Sequence, residues 1–237
     1  MSRKKRQSVA KRASKKAGTF GRIAPVSKPT MARKTIPSAE KLDLYAKHKN
    51  EYLASAMASF VRVGPASYLA FDGRGKPGAP DFATGIGAMY SVAFTVKMAF
   101  KAAGKDYAVT KLEALWWRGD DDTSEPTKDT IWNWQLLIRV PPFVTEKEVQ
   151  AAANSLVAKG KPDDVRRVHL IELHEDTCVQ ILHMGSYQEE GPAISKMRAF
   201  AQVSGRSFNG KHHEIYLSDP NKVAGDKLRT ILRQPVS

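Results

Sequence analysis

One stretch decides the fold and the candidate site of this chain: Lys211-His212-His213-Glu214-Ile215-Tyr216-Leu217-Ser218-Asp219-Pro220. Its alternating pattern predicts a β-strand that is closed by an Asp-Pro turn. Successive side chains of a strand point to opposite faces, so His212, Glu214 and Tyr216 share one face, and the apolar residues share a buried one. A carboxylate between two aromatic rings suits a cationic or aromatic ligand, or a base that activates water. The spacing also fits a solvated outer face with three ordinary polar residues.

The composition is that of a globular chain without signs of a membrane span, a disulfide or a metal site. Its 237 residues are 42% hydrophobic, enough for one large domain or two small ones. No apolar run approaches the ~20 residues that span a bilayer, and the basic N-terminus lacks the apolar segment of a secretory signal. The single cysteine, Cys178, excludes an intramolecular disulfide and indicates a reducing, cytoplasmic setting. No cofactor or metal is expected, because the adjacent His212 and His213 face opposite sides of their strand.

Positive charge is concentrated at the N-terminus. Residues 1–35 hold twelve Lys or Arg and no acidic residue, in a chain whose formal net charge is +14. The rest of the chain therefore carries 26 basic against 24 acidic residues, or +2. We predict a disordered basic tail over residues 1–38 and a folded domain over residues 39–237. The tail fits non-specific contact with nucleic acid or another polyanion, a transit peptide, or a solvated extension.

The folded part shows the order strand–strand–helix–strand–strand twice, after a short helix that begins near residue 41. We interpret this as an α+β fold of two duplicated ββαββ units, the alternative being an accidental repetition of that order. The first unit is predicted as strands 60–63 and 67–72, a helix 81–103, and strands 109–117 and 131–140. A helix over 145–159, with a capping box of Thr145 and Glu148, connects the units. The second unit is predicted as strands 168–174 and 177–184, a helix 192–203, and strands 212–217 and 228–234.

The long helix of the first unit carries a regular apolar stripe. Apolar residues recur every three or four positions, as expected for its buried face: Phe82, Ile86, Met89, Ala93, Val96 and Phe100. Asp81 is the predicted N-cap. Gly85 and Gly87 each weaken the helix by roughly 1 kcal/mol relative to Ala, which suggests that the helix packs closely on the sheet at these positions.

All four tryptophans lie within nineteen residues, on two strands that flank an acidic loop over 120–129. Alternation places Trp132 and Trp134 on the inward face of the second strand, and Glu113 and Trp117 on one face of the first. A single tryptophan is more often part of a core than of a site. Four of them near an acidic loop favour a concave aromatic site.

Four segments of the chain are characteristic in combination: Lys41–Tyr45, Leu112–Trp117, Cys178–Tyr187 and Gly210–Pro220. With them the chain resembles the GyrI-like small-molecule-binding domains over roughly five-sixths of its length. The resemblance implies two pseudo-symmetric halves with a central ligand groove between antiparallel strands. It also implies a pocket for flat, hydrophobic and often cationic compounds.

The resemblance implies roles for individual residues as well. Glu214 would pair with a cationic ligand beside Tyr216, while Trp117 and Trp134 would clamp an aromatic one, so that all four line one cavity. The further candidate contacts are Trp132, Glu113, His183 and Tyr187. Some stand-alone relatives resemble hydrolases that open the cyclopropane ring of DNA-alkylating natural products, with a Glu/Tyr pair that handles water. Three functions therefore stay open: small-molecule binding, hydrolysis of strained genotoxic compounds, and association with DNA through the tail.

Overall fold

The structure is a computed structural model that describes residues 41–119, 127 and 129–237. The predicted basic tail and most of the acidic loop lie outside these residues. The strands are β1 (Ser59–Val63), β2 (Ala66–Gly75), β3 (Leu112–Trp117), β4 (Trp132–Arg139), β5 (His169–Leu173), β6 (Asp176–Met184), β7 (His212–Tyr216) and β8 (Arg229–Pro235). The α-helices are α1 (Leu44–Lys47), α2 (Pro80–Ala102), α3 (Glu146–Ala158) and α4 (Gly191–Val203). In this part of the chain no helix has the length and apolar character that crossing a membrane requires.

The strands form one antiparallel sheet in the order β1-β6-β8-β7-β3-β4-β2-β5. The sheet order is symmetric about its centre. Read from one edge, the strands of one half are β5, β2, β4 and β3. Read from the other edge, the corresponding strands are β1, β6, β8 and β7. The first strand of each unit pairs with the second strand of the other unit: β1 pairs with β6, and β5 pairs with β2. The predicted α+β fold of duplicated ββαββ units with pseudo-two-fold symmetry is thus confirmed. The two halves join through the pairing of β3 with β7.

The long helices of the two units cover the same face of the sheet. Cross-strand partners share a face, and one row of partners crosses six strands: Phe71, Leu136, Ala114, Glu214, Leu232 and Ile181. Met89 of α2 packs at one end of this row, and Met197 of α4 packs at the other. Because α2 lies on β2 and β4 while α4 lies on β6, the inner strands β3 and β7 run between the two helices. We call their side chains on this face the central strip: Ala114, Trp116, His212, Glu214 and Tyr216.

His213 is the centre of a buried charge network on the opposite face of the sheet. Its Nε2 lies 2.9 Å from Glu113 Oε2, and its Nδ1 lies 2.9 Å from Glu175 Oε1. Burial alone lowers the pKa of His213, but the charge of Glu175 and the hydrogen bonds to both carboxylates outweigh burial and raise that pKa to about 9. Burial raises the pKa of Glu175, yet its contacts with His213 and Arg233 prevail and lower it to about 2. His213 is therefore a buried cation at neutral pH.

Two arginines extend this network to the segment that precedes β1. Arg233 donates to Glu175 Oε2 at 3.2 Å and also to the main-chain oxygen of Glu51. Arg139 donates to the carboxylate of Glu51. Since Arg139 belongs to β4 and Arg233 to β8, this segment is tied to both halves of the sheet. Removing one partner from such a buried network typically costs ~3–5 kcal/mol, because an uncompensated charge remains.

Of the two predicted helix N-termini, that of α2 is wrong and that of α3 is confirmed. Ala79 occupies the N-cap of α2 and Pro80 follows it, so the prediction of Asp81 as N-cap is wrong. Proline is well suited to the first position of a helix, and Asp81 in the first turn instead pairs with Arg167 at 3.0 Å. The predicted capping box of α3 is present, with the Thr145 N–H donating to Glu148 Oε2 at 3.0 Å.

The two glycines of α2 have different surroundings. A Cβ atom on Gly85 would lie 2.9 Å from the ring of Phe71 and 3.0 Å from Leu136, whereas a Cβ on Gly87 would meet nothing within 4 Å. The predicted close packing is therefore correct for Gly85 and wrong for Gly87. At Gly85 the missing side chain allows α2 to approach the sheet.

We expect the substitutions Gly85→Ala and Gly87→Ala to change stability in opposite directions. Gly85→Ala forces α2 away from Phe71 and should destabilise the fold by about 1–3 kcal/mol, as overpacking does. Gly87→Ala is the matched control and should stabilise the fold by up to about 1 kcal/mol through helix propensity. Urea unfolding followed by circular dichroism measures both, and equal shifts would contradict the packing described for α2.

Candidate functional site

The register between β3 and β7 determines which side chains share the central strip. Ala114 lies opposite Glu214, and Trp116 lies opposite His212. Glu214, Tyr216 and Trp116 therefore face the same side of the sheet, the side that carries α2 and α4. The side chain of Glu214 is only 13% exposed, which excludes a solvated outer face for this strand.

Hydrogen bonds link the aromatic side chains of the central strip to the carboxylate. Tyr216 Oη donates to Glu214 Oε2 at 2.7 Å, and Trp116 Nε1 donates to Tyr216 Oη at 3.3 Å. The ring of Tyr187 packs edge-on against Tyr216 with the centroids 5.7 Å apart. Phe82 of α2 stacks on Trp116 at 5.2 Å. Aromatic rings thus surround Glu214 from both halves of the molecule.

A second carboxyl group, that of Glu190, meets Glu214 in the same place. A short helical turn over Tyr187–Glu189 leads the chain to Glu190, which directly precedes Gly191 at the start of α4. Glu190 is 7% exposed. One oxygen of its carboxyl group lies within 4.8 Å of a carboxyl oxygen of Glu214. The sequence prediction placed Glu190 in a loop and gave it no role.

The two carboxyl groups have raised pKa values. Burial, followed by the adjacent charge of Glu214, holds the pKa of Glu190 well above its usual range. Burial also raises the pKa of Glu214, and this effect outweighs the hydrogen bond from Tyr216 and the nearby polar groups of Glu190 and Trp116, which lower the pKa. Two adjacent carboxyl groups in a dry site do not ionise together. Glu190 and Glu214 therefore carry at most one negative charge between them, and the hydrogen bond from Tyr216 favours its placement on Glu214.

His212 completes this group as a neutral imidazole. Burial, and then the charge of His213 on the opposite face, lowers the pKa of His212 to about 4. Its Nε2 lies 3.9 Å from Glu214 Oε1, too far for a hydrogen bond. One ligand atom from each of Glu190, His212 and Glu214 lies within 4.8 Å of the other two.

The family model of the GyrI-like small molecule binding domain matches residues 56–237. The chain belongs to this family. A Listeria innocua protein of known crystal structure is 32% identical, with a TM-score of 0.77 over 83% of this chain and all of that one. A structure described as a hydrolase from Listeria innocua is 31% identical, with a TM-score of 0.73 over the same shares. No curated protein matches the chain.

A more distant likeness supports the fold alone. The C-terminal domain of EcmrR is 12% identical and has a TM-score of 0.53, covering 76% of this chain and 97% of that domain.

Segment 41–54 precedes the family match, yet Tyr52 packs on Ile215 and Ile231 of the GyrI-like domain. The segment is therefore part of the folded unit.

The structure contradicts the predicted places of Trp117 and Glu113 in this GyrI-like domain. Trp117 pairs with Asn133, which puts it on the face opposite Glu214, where Lys211 Nζ lies 3.6 Å from the centre of its ring. Glu113 shares that face and belongs to the network around His213. The prediction of one cavity with Glu214 and Trp117 is thus wrong, because the inward face of β3 is that of Trp116.

The other two tryptophans lie on the same face as Glu214 but mainly serve the core. Trp134 is cross-strand partner to Trp116 and is 0% exposed, with the ring of Phe82 edge-on at 5.0 Å. Trp134 therefore packs beside Trp116 and Phe82 in the core and presents no exposed ring face to a ligand. Trp132 at the start of β4 is half-buried, with the guanidinium of Arg118 5.7 Å from its ring centre.

His183 and Tyr187 lie at the second-unit side of the central strip. His183 pairs with Thr230, which in turn pairs with Tyr216, so the three side chains form one row. His183 is mostly buried, and its Nε2 lies 3.0 Å from the main-chain oxygen of Ser186. This contact fixes the turn that carries Tyr187, so His183 positions this aromatic side chain.

Proposed function

We propose that the central strip binds flat hydrophobic molecules that are cationic or aromatic, with Glu214 as the charged contact. The observation that carries the proposal is a carboxylate that lies among aromatic rings and accepts a hydrogen bond from a neutral donor. Tyr216 donates a hydrogen bond to Glu214 at 2.7 Å, and this neutral donor does not cancel the charge of the carboxylate. The buried cation His213 lies on the opposite face of the sheet. A negative charge in such surroundings attracts a ligand cation more strongly than it would in water.

The shape of the site favours a flat ligand. Trp116, Tyr216 and Tyr187 offer ring faces and edges from β3, β7 and the turn before α4. Tryptophan and tyrosine rings stabilise a planar cation by stacking and by cation–π attraction, worth about 0.5–2 kcal/mol for each ring. Phe82 of α2 stacks on Trp116, so a ligand ring that stacks on the same face of Trp116 would have to displace it.

We expect Glu214→Gln to weaken a cationic ligand and to leave its uncharged counterpart nearly unaffected. N-methylacridinium and acridine, which is uncharged at pH 8, are a matched pair for fluorescence titration. Loss of one charge-assisted contact should raise the Kd of N-methylacridinium by about 10–100-fold. The control variant Glu172→Gln makes the same change at an exposed position of β5 and should bind both dyes like the wild type.

Equal losses for the two dyes in Glu214→Gln would contradict the electrostatic role of this residue. Tight binding of both dyes by the variant would place the ligand elsewhere on the domain.

The second candidate function is hydrolysis of strained electrophiles, such as cyclopropane-containing genotoxic compounds. The specific observation is that two carboxyl groups and a phenol meet in the central strip: Glu190, Glu214 and Tyr216. A relative that is 31% identical is described as a hydrolase. In the proposed step a water oxygen bonds to the ring carbon of the substrate and the strained C–C bond breaks. One water proton passes to Glu214 and the other stays on the new hydroxyl group, while the electron pair of the broken bond passes into the electron-withdrawing group that is conjugated with the cyclopropane.

If this reaction occurs, Glu214→Gln should lower turnover by roughly 10²–10⁴-fold, the usual contribution of a positioned general base. Binding of the uncharged substrate should persist, because the rings of Trp116 and Tyr216 remain. Product formation measured by chromatography, with binding measured by fluorescence, separates the two effects. Unchanged turnover in the variant would exclude Glu214 as the base.

We further propose that residues 1–35 contact nucleic acid without sequence preference. The support for this proposal is their content of twelve basic and no acidic residues. Contacts of Lys and Arg to phosphate weaken steeply with salt and carry no base information.

Anisotropy of labelled duplex DNA tests the role of the tail. Binding by the full chain should fall steeply between 50 and 200 mM salt, about 10³-fold or more for six or more phosphate contacts. Deleting residues 1–35 should abolish it. If the full chain ignores DNA at low salt, the tail has another role.

A further inference from the structure

Three side chains of the types that bind metal ions converge on the central strip. His212 and Glu214 stand two residues apart on β7 and share a face, while Glu190 reaches them from the start of α4. Their potential ligand atoms lie within 4.8 Å of one another. No metal was expected from the sequence, because a histidine pair on opposite faces of a strand does not make a site. Glu190, distant in sequence, supplies the ligand that is missing from the local pattern of β7.

An independent observation is that two buried polar atoms of this group have no hydrogen-bond partner. Glu190 Oε1 and His212 Nε2 are both inaccessible to solvent, and neither is paired. The side chain of Glu190 is more than nine-tenths buried. A buried polar atom without a partner costs about 1–3 kcal/mol, and here two such atoms belong to side chains that meet. One ion between them would satisfy both.

The spacing of the ligand atoms agrees with a shared ion. His212 Nε2 and Glu214 Oε1 are 3.9 Å apart. Two ligands that each lie about 2.0–2.2 Å from one zinc ion are separated by roughly 3.4–4 Å, depending on the angle at the metal. The widest separation in the group exceeds this range by less than about 1 Å, which rotation of a glutamate side chain covers.

We propose that Glu190, His212 and Glu214 bind one divalent transition-metal ion. One imidazole and two carboxylates are a common ligand set for zinc and related ions, and three protein ligands leave a position open for water or substrate. Tyr216, which donates to Glu214 at 2.7 Å, would hold that carboxylate in place as an outer partner of the ion. This metal site rests on the second candidate function of the central strip, hydrolysis, and specifies that water would be activated there through the ion, with Glu214 as a ligand and not as the base.

Cobalt(II) titration of the full chain, first treated with EDTA, tests the metal site. A site of nitrogen and oxygen ligands should give a visible d–d absorption band that saturates at one ion per chain. Glu190→Gln and His212→Gln should each weaken binding by at least about 10–100-fold, the range seen even for outer-shell changes. His174→Gln, which removes an exposed imidazole between β5 and β6, is the matched control and should bind like the wild type.

Circular dichroism and the thermal midpoint of each metal-free variant show whether it is folded. Absence of a saturable band in the wild type would overturn the metal site, as would a band that persists in both folded variants. Dye binding by the EDTA-treated protein separates the two proposals. If N-methylacridinium binds and cobalt does not, the proposed function stands and the metal site fails. If cobalt binds and the dye does not, the metal site stands alone.

Discussion

The register of β3 against β7 is the constraint on which the rest of the site depends. This pairing joins the two duplicated halves, and it sets Glu214 opposite Ala114 and Trp116 opposite His212. Because side chains alternate along a strand, a shift of β7 by one residue would bring His213 and Ile215 to the helix face. Glu214 and Tyr216 would then leave the strip between α2 and α4 together, and the contacts of Glu214 with Glu190 and of Tyr216 with Trp116 would be lost.

The opposite face of the same strand helps to hold this register. His213 lies between Glu113 of β3 and Glu175, and Arg233 and Arg139 connect this network to the segment before β1. Such contacts are directional, and a shifted register would leave buried charges without partners. β7 thus carries a compensated charge network on one face and, on the other, a carboxylate whose charge remains for a ligand. The first arrangement stabilises the fold, and the second makes the site.

Local patterns in the sequence predicted the elements and the face of each strand, but not how distant strands meet. The separation of Trp117 from Trp116, and the inward direction of Trp134, follow from alternation within one strand. Which face of β3 lies beside Glu214 depends on pairing with a strand about a hundred residues away, and no local pattern encodes it. Glu190 was missed for the same reason, because it precedes a helix in an irregular segment and gains its environment only when α4 packs on β6.

The most direct test of the register and of the site built on it is the quenching of tryptophan fluorescence by bound N-methylacridinium in two neighbouring variants. We expect Trp116→Phe to remove a large share of the quenching and to weaken dye binding, because Trp116 faces the same side as Glu214. Trp117→Phe should leave both nearly unchanged, since Trp117 lies on the other side of the sheet. The reverse result, in which Trp117→Phe removes the quenching and Trp116→Phe does not, would contradict both the register and the site.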